Sequence, residues 1–373
     1  MISNLFDINE IMEHYSFKGE YYDFSTLNNG HINNTYVLNF DYDGTQKCYI
    51  LQQINVAVFK DPDVLMRNYV GVTEHIRKKV IEAGGNPKRE SIKVYMTKDN
   101  KPYYKDKDGR YWRVINFVIN TVSYNFPDNP EICRRAGKTF GNFQKLLADY
   151  PAETLAETIP NFHNTVSRYA DFEAALKADV AGRAASVQKE IDFVKNRKKD
   201  CSVLLDLLEK GELPIRVTHN DTKLNNVLFD KKTGEGICVV DLDTVMPGLS
   251  LYDFGDSLRF AGNTADEDEK DLSKVKFNMA YYRSYTEGYL SAAGDSLTET
   301  EVYYLPFSCK IMTLECGIRF LTDYLNGDVY FRTSYPEQNL DRCRTQLKLV
   351  EEIEKLYVEM LSATQSIYSN IKK

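Results

Sequence analysis

Four side chains that can do chemistry stand close together in the run VTHNDTKLNNVLFD: His219, Asp221, Lys223 and Asn226. Beyond a turn at residues 231–236, the run VVDLDT adds Asp241 and Asp243. Phosphoryl transfer needs little covalent help. It needs a carboxylate to orient the attacking hydroxyl, oxygen ligands for a metal, and positive charge for the transferred group. Asp221 is the candidate base, Lys223 the contact for the transferred phosphate, and Asn226 and Asp241 the candidate Mg²⁺ ligands. Asp243 lies two positions after Asp241, so on a strand the two carboxylates share a face, and Asp243 serves either as a second ligand or as a turn cap. Asn, Asp and Thr also favour ordinary turns and caps; four residue types in this order between two apolar runs favour the chemistry.

Those residues need a strand, a loop and a hairpin to place them. The pattern reads as strand, loop, β-hairpin and acidic strand end. The same order occurs in protein kinases as H-x-D-x-K-x-x-N followed by a metal-binding Asp. Asp253, in LYDFGDSLRF, is expected to brace the loop through backbone N–H groups or His219, because the metal role of a "DFG" aspartate is already filled by Asp241.

Upstream, residues 22–27, 35–41 and 49–54 alternate as three antiparallel strands, with hairpin signals at Asn28-Asn29-Gly30 and Asp43-Gly44. A short amphipathic helix precedes them, and Asp61-Pro62 opens a long one that stops at Gly84-Gly85. Residues 91–97 and 110–119 read as two more strands. Helical patterns follow at 131–150, 172–180 and 183–209, and again at 268–291, 298–325 and 336–368. The expected fold class is α+β, a bilobal protein kinase-like fold. Residues 1–118 form a small lobe of antiparallel sheet plus helix that covers a nucleotide, and 119–373 a larger, mainly helical lobe with the catalytic loop. A cleft between lobes is where ligands usually bind.

The loop between the first two strands, with Gly30, His31, Asn33 and Thr35, lies where kinases cover the nucleotide phosphates with backbone N–H groups. A protein kinase would carry a phosphate-binding Lys on the third strand. Here that strand reads CYILQQIN, with Gln52 and Gln53 in its place. Glutamine can hydrogen-bond a phosphate but cannot neutralise it, so the charge must come from Mg²⁺, from Lys223 or from an arginine such as Arg67.

The chain as a whole bounds the partners. Its 373 residues suffice for two unequal lobes, and a formal charge of −7 gives no general attraction for nucleic acid or an acidic membrane. Seven scattered Cys form no CxxC pair, which points to reduced thiols in a cytoplasm. The start, MISNLFDINEIMEHY, has charges where a signal peptide would be apolar, and no apolar run approaches the roughly 20 residues of a membrane span. Nothing in the sequence sets an oligomeric state.

Taken together, GHINNTY, ILQQIN, WRVINF, VTHNDTKLNN, VVDLDTVMPG, LYDFGDSLRF and ECGIRFLTDYLNGDVYF resemble the N-acetylhexosamine 1-kinases, anomeric sugar kinases of the aminoglycoside phosphotransferase and choline kinase superfamily. The resemblance extends over nearly the whole chain and includes the glutamines in place of lysine. It implies ATP, Mg²⁺ and transfer of the γ-phosphate to the anomeric hydroxyl of N-acetylglucosamine or N-acetylgalactosamine. It implies Asp221 as base, Asn226 and Asp241 as metal ligands, and His31, Arg319 and Tyr330 among the residues at the amino sugar. Gln53 joins the cover loop at the nucleotide. An anomeric hydroxyl is more acidic than an ordinary alcohol, so an aspartate of unremarkable pKa is expected to suffice. Alternative readings are a kinase for choline, homoserine, an aminoglycoside or another sugar, or an ATP-binding pseudokinase; the intact set Asp221, Lys223, Asn226 and Asp241 argues against the last.

Overall fold

The computed structural model describes residues 6–27 and 32–373. Gly30 and His31 lie outside the described residues. The chain is a mixed α+β protein that divides into two compact units, and each takes discontinuous segments: Met1–Val122, Glu153–Pro160 and Leu228–Met246 in the first, Ser123–Ala152, Asn161–Val227 and Pro247–Lys373 in the second.

The first unit is built on an antiparallel sheet. Helix α1 (Ile8–Glu13) precedes strands β1 (Glu20–Leu27), β2 (Asn34–Tyr42) and β3 (Thr45–Ile54), and helix α2 (Pro62–Glu82) precedes short strands β4 (Val94–Tyr95) and β5 (Tyr104–Lys105) and the longer β6 (Tyr111–Asn116). The order is β1-β2-β3-β6-β4, with β5 also on β6. The side-chain period of two sends Tyr49, Leu51, Trp112 and Val114 to one face, where they bury against Ile11 and Tyr15 beside α1. The opposite face carries Thr35, Gln52 and Arg113, aligned across three strands by the pairs Thr35↔Gln52 and Gln52↔Arg113. Helix α2 contributes Met66 and Tyr69 to that face. Asp61 caps α2 by accepting from Asp63 and Val64 N–H, and Pro62 opens the first turn. Strands β9 (Val227–Asp230) and β10 (Gly236–Val239) form the hairpin, with β7 (Thr121–Val122) on its other edge; β8 (Arg216–Thr218) lies in the second unit.

The second unit is helical. Its main elements are α3 (Pro130–Leu146), α4 (Thr165–Ala178), α7 (Ser250–Ala261), α8 (Met279–Ala293), α9 (Glu299–Leu325) and α10 (Gln338–Ile371), with the shorter α5 (Gln188–Asn196) and α6 (Val203–Glu209) between α4 and β8. Glycines let α3 and α8 meet at backbone contact. A Cβ on Gly288 would fall 1.8 Å from the Arg134 carbonyl oxygen, and one on Gly137 2.2 Å from that of Tyr285. No helix among the described residues is long and apolar enough to cross a membrane.

Three expectations change. The helix expected at 183–209 is broken into α5 and α6 by a 3₁₀ turn at Lys198–Ser202. The helix expected from 268 starts at Met279, because Asn278 caps it by accepting from Ala280 and Tyr281 N–H. The strand expected at 91–97 pairs only over Val94–Tyr95.

Candidate active site

The loop after β8 is held from below by α7. The Asp253 carboxylate accepts from His219 N–H at 2.9 Å and Asn220 N–H at 2.8 Å, and Gln144 donates to it at 2.7 Å. The bracing expected of Asp253 is thus present. It sits in the first turn of α7, not at its cap. Burial pushes its carboxyl pKa up against these donors. Asp256 accepts from Thr222 N–H at 3.2 Å, Thr222 Oγ1 donates to the Asp253 carbonyl at 2.6 Å, and Ser257 donates to the Thr222 carbonyl. Asn220 adopts a left-handed backbone, φ +65°, one residue before Asp221. Asn and Asp tolerate that region better than other non-glycine residues, which fits an Asn here.

Asp221 and Lys223 form an ion pair at 2.9 Å, with about a fifth of the Asp221 side chain exposed. Burial alone would raise the Asp221 carboxyl. The Lys223 ammonium, with His219 and Arg259, outweighs burial and holds it below the usual carboxylate range. The expectation of an unremarkable pKa is corrected by that neighbour. The same pairing raises Lys223 against burial. Asn226 donates from Nδ2 to the Asp221 carbonyl at 2.8 Å, which leaves Oδ1 as its acceptor atom.

Asp241 and Asp243 do not share a strand face. Strand β10 ends at Val239, Asp241 has φ +62°, and Leu242–Thr244 form a 3₁₀ turn. Asp243 is buried and bound by the Arg113 guanidinium, with Nη2 2.8 Å from Oδ2 and Nη1 on Oδ1, while Asn33 Nδ2 donates to Oδ2. Asn33 Oδ1 in turn accepts from Asn55 N–H at 3.0 Å. Thr35 Oγ1 accepts from Gln52 Nε2 at 3.2 Å. The strand period separates the two glutamines: Gln52 faces Arg113, whereas Gln53 lies on the other face and accepts from Asn34. Arg113 is the residue that sequence reasoning missed here. Its signal, a charge inside the apolar strand YWRVIN, was present.

Among the described residues no three His, Cys, Asp or Glu side chains gather as a metal cage. An amide oxygen and one carboxylate are nonetheless the kind of donor set Mg²⁺ takes when phosphates and waters complete its shell. Asn226 in the second unit and Asp241 in the first each carry an oxygen donor of that kind.

In the second unit, Arg319 and Tyr330 line a cavity of about 540 Å³ together with Arg168, Asp171, Asp323 and Phe331. The Arg319 guanidinium is ringed by Phe162, Phe331 and Tyr330 at 5.5, 5.6 and 6.0 Å from the ring centroids. The Asp323 carboxylate is spent on the backbone N–H groups of Val329, Tyr330 and Phe331 and on Asn339. Burial and the Arg319 charge lower Arg168, whose Nε is buried without a hydrogen-bond partner. One turn before Arg319, Glu315 pairs with His163 at 2.8 Å. Arg168, His163 and Glu315 were not singled out from the sequence.

The phosphotransferase enzyme family (APH) matches residues 24–295. Among solved structures, an aminoglycoside phosphotransferase from Alicyclobacillus acidocaldarius aligns with TM-score 0.61 at 12% identity, covering 98% of this chain and 96% of its own. A microcompartment-associated aminopropanol kinase aligns with TM-score 0.53 at 14% identity over 94% and 96%. A Plasmodium vivax ethanolamine kinase aligns with TM-score 0.53 at 14% identity over 87% and 82%. At these identities the likeness is one of fold.

Proposed function

The chain belongs to the phosphotransferase enzyme family, and on that premise we propose that it phosphorylates N-acetylhexosamines, N-acetylglucosamine and N-acetylgalactosamine, at the anomeric hydroxyl with ATP and Mg²⁺. Asp221 is the base. Held in its ionised form, it accepts a hydrogen bond from the anomeric hydroxyl and takes the proton late in a loose transition state. Lys223 serves the transferred phosphate, and its pairing with Asp221 passes to that phosphate when substrate is present. Asn226 and Asp241 are assigned as the Mg²⁺ ligands; the ion, when bound, neutralises charge on the nucleotide phosphates. The cover residues Gly30, His31, Asn33 and Thr35 are assigned to the nucleotide; Gln53, expected with them, lies on the face of β3 away from Gln52 and Arg113. His31, Arg319 and Tyr330 are assigned to the sugar. In this reading residues 1–118 cover the nucleotide and 119–373 carry the catalytic and sugar-binding groups.

The observation that carries the acceptor class is Arg319 inside its own ring of aromatic side chains. A choline or ethanolamine site wants such a cage for the ligand's cation. Here the cage already holds a cation, a second arginine stands close by, and Asp323 is engaged by three backbone N–H groups and the Asn339 amide. That lining suits a neutral, oxygen-rich acceptor whose nitrogen is acylated.

The test is ADP release with N-acetylglucosamine, N-acetylgalactosamine, glucose, galactose, choline, ethanolamine and kanamycin, with the product identified by ³¹P NMR. An anomeric phosphate from the N-acetyl sugars supports the reading. Turnover with choline, ethanolamine or kanamycin alone overturns the acceptor.

A further inference from the structure

We propose that Arg113 on β6 is the positioning residue for the acidic turn Asp241–Thr244, an anchor of that turn and not a phosphate ligand. This inference rests on the phosphotransferase reading for its functional consequence but not for its geometry.

The hydrogen bonds of Arg113 are fully committed. Nε and Nη2 donate to Gln52 Oε1 at 2.9 and 2.8 Å, Nη2 also donates to Asp243 Oδ2 at 2.8 Å, and Nη1 serves Asp243 Oδ1 and faces Met66 Sδ at 3.7 Å. The guanidinium stacks over the Tyr69 ring at 4.1 Å, and the side chain is 0% exposed. A guanidinium so enclosed has no donor to offer a phosphate. What it offers is a rigid fork that fixes Asp243 in two dimensions, which a lysine, a single point charge, cannot do.

Stability alone does not account for the pair. A buried ion pair is often no better than well-packed apolar residues of the same volume. Its value lies in where Asp243 sits: two residues beyond Asp241, whose left-handed backbone carries a cost that its surroundings offset. Asn33 adds a third donor to the same carboxylate, so the cover-loop flank, β3, β6 and the acidic turn share one network within the first unit. Two consequences follow. The Asp243 charge is neutralised by Arg113 and removed from metal binding, so Asp241 supplies the metal-facing carboxylate of this turn. Gln52 stands in the lysine's place because an arginine one strand away needs an acceptor there.

The experiment uses the full chain in two variants: Arg113→Met with Asp243→Leu, which removes both charges together, and Arg113→Lys, which keeps charge and loses the fork. The first readout, without ligand, is amide hydrogen exchange of the peptide spanning 240–246. The second is ADP affinity by calorimetry with and without Mg²⁺. In both variants exchange of that peptide is expected to speed up about tenfold while β2 and β3 keep their protection. The Mg²⁺-dependent gain in ADP affinity is expected to fall about tenfold while the Mg²⁺-free affinity stays put. Unchanged exchange in either folded variant overturns the proposal, as does a lysine variant that keeps the full Mg²⁺-dependent gain. Faster exchange in a protein whose wild type shows no Mg²⁺-dependent ADP binding supports the anchor and overturns the phosphotransferase reading instead.

Discussion

His163 Nε2 lies 3.0 Å from the backbone carbonyl oxygen of Asn220, the residue that precedes the candidate base. The other ring nitrogen, Nδ1, lies 2.8 Å from Glu315 Oε1, and Thr165 donates to Oε2 of the same carboxylate at 2.6 Å. Two acceptors on one imidazole demand two N–H donors. Beside an ionised Glu315 the ring is assigned as an imidazolium, which ties α9 to the left-handed turn before Asp221.

The first prediction concerns pH. Burial would lower the His163 pKa, but the Glu315 charge, with Asp256 and the Asn220 carbonyl, raises it above the ordinary value. Burial would raise Glu315, but His163, Arg319 and Thr165 hold it low. Tyr252 also packs on the ring. A raised histidine contributes stability that is complete below its unfolded pKa of about 6.5 and is lost as pH rises through the folded value. The melting temperature is expected to fall as pH rises above the usual histidine range. In Glu315→Gln that fall moves to lower pH, and stability near pH 7 drops by about 3–5 kcal/mol because a buried charge loses its partner. Superimposable melting curves against pH for the two proteins would sink the imidazolium assignment.

The second prediction concerns the candidate base. Asp221→Asn keeps the loop, since His219 and Asn220 are held through Asp253 and not through Asp221. Turnover is expected to fall by roughly 10²–10⁴-fold with ATP affinity near normal, measured by steady-state kinetics and calorimetry. Lys223→Met is expected to lower turnover as well. Wild-type turnover in that variant would remove Lys223 from the transferred phosphate.

How far the sequence reveals this site depends on chain distance. Asp221, Lys223 and Asn226 are legible because a single loop carries them, and Asp253 because its helix follows the hairpin directly. Arg113 and Gln52 are not, since 61 residues separate them and only the β3–β6 register brings them together. The choice between Gln52 and Gln53 turned on a strand period whose phase depends on which face α1 covers. His163 and Glu315 are 152 residues apart, one in the turn before α4 and the other on α9, and no local pattern links them. The antiparallel sheet was readable from alternation and turn residues. The start of α8 was not, because the charged stretch before Asn278 is compatible with a helix until the asparagine caps the next one.

A third prediction tests the backbone contact that supports the loop's helices. Gly288→Ala places a Cβ 1.8 Å from the Arg134 carbonyl and 2.8 Å from Lys138 N, contacts that no side-chain rotation relieves. Helices α3 and α8 must part. A loss of about 1–3 kcal/mol is expected, read as a drop in melting temperature of roughly 2–4 °C for each kcal/mol. An unchanged melting temperature would mean that the two helices can slide apart at no cost.

The last prediction separates amino sugars from amino alcohols at the cavity itself. Arg319 has Phe162, Phe331 and Tyr330 around its guanidinium. Removing the guanidinium in Arg319→Ala therefore does two things at once. It takes away the donors assigned to the sugar, so the KM for N-acetylglucosamine is expected to rise about 10–100-fold, the loss of one or two charged hydrogen bonds, while the KM for ATP holds. It also leaves three ring faces around an empty space, which is the arrangement that attracts a quaternary ammonium by about 1–2 kcal/mol. Weak choline binding is thus expected in the variant and not in the wild type, and calorimetry with both ligands on both proteins reads the exchange. Choline binding to the wild type that disappears in Arg319→Ala would reverse the argument, because the arginine would then be supporting a cation site instead of filling it.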